Sequence, residues 1–123
     1  MVKFLFVLNT LLTLPFGIVA LAIPGVLFAQ FGLQLDAAGI LIARGYGATL
    51  VAYGLALFLM RATVDARTVM VLLSSMAIFN AIEAIIQGIA GIQAVAQPII
   101  FANVAMHGVV SVACLFALSR QKH

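Results

Sequence analysis

The chain has 123 residues, of which 66% are hydrophobic and 7% charged, and its mean hydropathy is +1.30. A soluble domain carries about 25% charged residues, and a chain this short has too little interior to hide so much apolar surface, so lipid must be its solvent. Six basic and three acidic residues are too few for a nucleic-acid surface, and the single Cys114, with no CxxC or Cys/His cluster, excludes an intrachain disulfide and gives no structural zinc site.

The first apolar run resembles a secretory signal, with Lys3 ahead of it and an A-x-A pattern at Ala20-Leu21-Ala22. Pro24 would stand just after such a cut, so the segment is expected to be retained as a first span, about residues 4–27. Pro15 and Pro24 interrupt it, which membrane helices tolerate where neighbours satisfy the freed backbone groups. Asn9, Thr10 and Thr13 form a small polar patch suited to hydrogen bonds between helices.

Asp36 is placed to cap a second span over residues 37–60, whose sequence is AAGILIARGYGATLVAYGLALFLM. Gly39, Ala43, Gly47 and Gly54 let another helix approach closely, the main packing device in lipid. Tyr46, Thr49 and Tyr53 fall on one face by their spacing, roughly opposite Arg44. Arg44 itself is the anomaly of the span, because a charged side chain at membrane depth is costly and is expected to face a bundle interior with a partner.

Asp65 sits where a negative charge suits the start of a third helix, a span of about residues 68–89. Along it Asn80, Glu83 and Gln87 occupy one face. Gly88 to Pro98 reads as an uncharged turn lying in the interface or folded back on the bundle. A fourth span, about residues 99–118, carries Asn103, His107 and Ser111 at four-residue intervals. No repeat or linker divides the chain. The expected fold is all-α, an integral membrane four-helix bundle forming one domain.

With four spans, Lys3, Arg61, Arg67, Arg120 and Lys122 share one side of the membrane, and the other two loops hold no basic residue. The positive-inside rule then places both termini in the cytoplasm of a bacterial inner membrane. Arg44 breaks this pattern. It lies roughly 10 Å into span two at 1.5 Å per residue, and Glu83 lies roughly 9 Å from the same side of span three. Asn103 is about as deep, and Asn80 and His107 about one turn deeper. The expectation is therefore a polar layer of Arg44, Asn80, Glu83, Asn103 and His107, with Arg44 paired to Glu83.

Such a layer admits three uses. It can be structural, fixing helix register through a buried ion pair. It can bind a small lipophilic molecule such as a quinone or lipid, with Glu83 and His107 able to move protons. It can mark a proton-coupled transport route. Haem is not expected, because His107 is the one histidine within a span and Met106 points about 100° away from it on the helix. No motif for nucleophilic catalysis is present.

Across span two the pattern ARxxGAxLxxxGLxLFLxR, with Ala43-Arg44, Gly47-Ala48, Gly54 and Arg61, together with Pro24, resembles the DoxX-like group of small bacterial four-span membrane proteins. The resemblance implies a four-helix membrane bundle. Some members of that group are named as the small subunit of a thiosulfate:quinone oxidoreductase. Only Arg44 carries over as a family position. The expected function is a non-enzymatic structural or accessory subunit of a membrane complex, packed against other subunits or itself, with a quinone- or lipid-binding redox component as the alternative.

Overall fold

The computed structural model describes residues 1–63 and 65–121; Lys122 lies outside the described residues. Five helices follow one another: α1 (Val2–Ala22), α2 (Pro24–Ala29), α3 (Ala37–Met60), α4 (Ala66–Ile92) and α5 (Ile100–Ser119). All but α2 are long and apolar enough to cross a membrane. The molecule is an integral membrane four-helix bundle in which α2 is a short addition at one end.

The first span differs from expectation at its second proline. Pro15 sits inside a continuous α1, whereas the chain breaks at Ile23 (φ −136°, ψ 57°) and restarts with Pro24 at the first helical position. Proline disfavours helical geometry in the residue before it and suits the first turn of a new helix. Asp36 and Asp65 cap α3 and α4 as expected, each accepting a backbone N–H at 2.7 Å, from Gly39 and Thr68. The side-chain and backbone hydrogen bonds from Thr68 hold the Asp65 carboxyl below its usual range.

The run from Gly88, expected as a turn, is helical as far as Ile92. In lipid a helix keeps its backbone bonds because nothing else will satisfy them, and glycine costs less there than in water. The helix ends with Val95 N–H on the Ala90 carbonyl and Ala94 N–H on the Gly91 carbonyl, a Schellman turn. Ala94, not a glycine, takes its left-handed position at φ 55°. The following loop folds back: Gln97 N–H reaches the Phe31 carbonyl at 2.8 Å.

Packing is strongest within two hairpins, α1 against α3 and α4 against α5. Glycine makes the first of these possible. A methyl group on Gly47 would meet the Gly17 carbonyl at 2.8 Å, and one on Gly54 would meet Thr13 Oγ1 at 2.8 Å. Thr10 Oγ1 donates to the Phe6 and Gly54 carbonyls, and Asn9 Nδ2 donates to the Tyr53 hydroxyl at 3.3 Å. The polar patch of α1 thus ties helices together. The second hairpin is stitched by Ser111 Oγ on the Ala77 carbonyl at 2.9 Å.

The two hairpins meet through a core of Leu5, Phe6, Leu57, Leu73, Met76, Ala77, Val110 and Cys114. It lies toward the end that carries the start of α1 and the 61–65 connection. Lys3, Arg61 and Gln121 border one hollow at that end. Toward the opposite end the hairpins separate.

Candidate ligand-binding cleft

Between the separated hairpins lie two adjoining cavities of about 320 and 370 Å³. Both are lined by Phe16, Phe31, Tyr46, Gln87 and Asn103. The first adds Phe79, Met106 and His107, the second Phe28, Glu83 and Ile86. Every spanning helix contributes, and α2 with the residues after it covers the end. The aromatic rings pack edge to face: Phe16 with Phe28 at 6.2 Å and with Tyr46 at 6.5 Å between centroids. Phe79 sits between Tyr53 (5.0 Å) and His107 (6.4 Å).

Asn80 is fully buried on the inward face of α4. Its Nδ2 donates to the Met76 carbonyl and its Oδ1 meets His107 Nδ1, each at 2.8 Å. Further along α4, Gln87 Nε2 donates to Glu83 Oε2 at 2.9 Å, and the Tyr46 hydroxyl lies beside the same carboxylate. Polar groups of three cleft residues are left without a protein partner among the described residues. Gln87 Oε1 is buried and unbonded. His107 Nε2 and the Asn103 amide are unbonded but not sealed, and both side chains border the first cavity.

The expected layer is therefore only partly assembled. Asn80, Glu83, Asn103 and His107 gather at the α4–α5 side of the cleft, but Arg44 does not join them. It is exposed on the outer face of α3 and forms no ion pair with Glu83. The reason is helical geometry. Tyr46 and Tyr53 turn inward, and a residue two positions from Tyr46 is rotated by about 200°. Thr49 also departs from the tyrosine face; it is exposed and its hydroxyl bonds back to the Gly45 carbonyl.

Depth alone suggested arginine for Glu83, yet its neighbours are the glutamine four residues on and a tyrosine from α3. The Gln87 contact was open to the i, i+4 rule. The contributions of Phe28 and Phe31 were not, because they depend on the break at Ile23. Among the described residues, no three His, Cys, Asp or Glu side chains gather as a metal site. Comparison with family models, with curated proteins and with solved structures gave no match.

Proposed function

We propose that this protein binds a lipophilic molecule with a polar head, of quinone or lipid type, in the cleft between its hairpins. The observation that carries this is the set of unspent polar atoms inside an aromatic cavity. A layer built only for register would use up its hydrogen bonds internally, because an unsatisfied buried polar group costs about 1–3 kcal/mol. Here Gln87 Oε1 is buried and left over, and Asn103 and His107 Nε2 border the cavity without a protein partner among the described residues. The cavities also fall at the lower end of the range typical of small-molecule sites, about 300–1,000 Å³. The test is mass spectrometry of a solvent extract from the purified protein, against an Asn103→Leu variant that removes the free amide from the cleft. One enriched species, lost in the variant, is expected. Extracts that match each other and the bulk lipid would end this reading.

A second reading, the accessory subunit, rests on Arg44. Its stem can carry the guanidinium toward the membrane surface, but its place on α3 beside exposed Leu41, Ile42 and Gly45 also suits contact with another membrane chain. The DoxX-like resemblance runs through this same stretch. In this reading the protein sits in a bacterial inner membrane with both termini cytoplasmic, as the positive-inside rule assigns. Native complexes isolated in mild detergent should shrink on Arg44→Leu; an unchanged size would remove Arg44 from any interface.

A further inference from the structure

We propose that the cleft selects a ligand that donates a hydrogen bond, a phenol, hydroquinone or lipophilic alcohol, over the matching ether or carbonyl compound. This rests on the cleft being a binding site and adds the polarity of what it holds. The argument starts at Asn80. Its Nδ2 donates to the Met76 carbonyl, an oxygen that can only accept, so the amide orientation is set with Oδ1 toward α5. Oδ1 likewise only accepts, so His107 Nδ1 must be the donor across their 2.8 Å contact. In the neutral imidazole the second nitrogen, Nε2, then holds a lone pair and no proton.

That lone pair has no protein partner among the described residues and belongs to a side chain that borders the cavity. The other polar groups repeat the bias. Glu83 already draws the Gln87 Nε2 donor and faces the Tyr46 hydroxyl. The Gln87 Nε2 donor is thus spent inside the protein, Gln87 Oε1 is unbonded but sealed, and the acceptor left open on the cavity is His107 Nε2. Asn103, with a free amide, can serve either way. A hydroxyl group entering beside His107 finds an acceptor. A carbonyl or ether oxygen there meets lone pairs.

The test is equilibrium binding of a radiolabelled long-chain alkylphenol and its methyl ether to the protein in lipid nanodiscs. The phenol should bind about tenfold more tightly, the worth of one hydrogen bond at the upper end of its usual range, and His107→Phe should erase the difference. Equal affinities for the two probes would overturn the selectivity while leaving the cleft as a site. No saturable binding of either would overturn both. A second measurement does not depend on that variant folding. In a His123→Gln background His107 is the one histidine, and nitrogen-15 NMR should show Nδ1 protonated and Nε2 bare. Asn80→Leu should move the proton toward Nε2. A wild-type ring already protonated at Nε2 would sink the proposal.

Discussion

Asn80 and His107 meet at 2.8 Å across the α4–α5 interface, 27 residues apart in sequence. Asn80 is 1% exposed, and its two side-chain atoms serve two different helices. Replacing it with leucine keeps much of the volume but leaves His107 Nδ1 without its partner in either tautomer. The expected cost is about 1–3 kcal/mol, read from denaturant or thermal unfolding in detergent. Pairing Asn80→Leu with His107→Phe should recover part of that loss, since no donor is then left unmatched. A double variant whose loss is simply the sum would show that the contact carries no coupling.

Glycines in this chain are not equivalent. Gly47→Ala drives a methyl group to within 2.8 Å of the Gly17 carbonyl, a backbone atom that cannot move aside without parting α1 from α3. Overpacking of this kind costs about 1–3 kcal/mol. Gly45 and Gly108 have open space around the same position, so alanine there should be neutral or stabilising by about 0.5–1 kcal/mol. Unfolding midpoints of the three variants decide the matter, and equal effects at Gly45 and Gly47 would refute the close crossing.

Ala94 closes the Schellman turn of α4 at φ 55°, where a side chain costs about 1 kcal/mol relative to glycine. Ala94→Gly should therefore raise stability by about that amount. A decrease would mean that the flexibility added to the unfolded chain outweighs the relieved strain.

Asp65 gives the capped end of α4 a pH dependence. Its folded carboxyl titrates below its ordinary value of 3.8 because it accepts hydrogen bonds from Thr68. The sign follows from linkage: a lowered folded pKa gives stability that is present above the unfolded value and is lost as pH falls through the folded one. Unfolding between pH 6 and about 3 should show this slope, and Asp65→Asn should flatten it. A slope of the same size in that variant would assign it elsewhere.

The span pattern was readable because a bilayer demands it. Three of the four spans lie within three residues of their helices at each end, while the first ends at Ala22 instead of near Leu27. The stripe of Asn80, Glu83 and Gln87 points inward as its period requires. For Arg44, depth in the span points to Glu83 but azimuth on α3 decides, and it turns the side chain outward. The spacing of Tyr46 and Tyr53 already put it on the far side, and a long basic side chain near the end of a span can escape toward water. The cleft itself was hidden in the sequence. It needs the break at Ile23 and the turn of Gln97 onto the Phe31 carbonyl, both products of tertiary contact and not of local pattern.

The pairing of α1 with α3 and of α4 with α5 makes the protein divisible. Each half closes its tightest contacts within its own sequence, so the ribosome delivers a finished helical pair before the next begins. Chain continuity through the 61–65 connection then supplies proximity and little else. Two separately expressed pieces, cut in that connection, should find each other in the bilayer and purify together. If they do not, the link between α3 and α4 does more than tether.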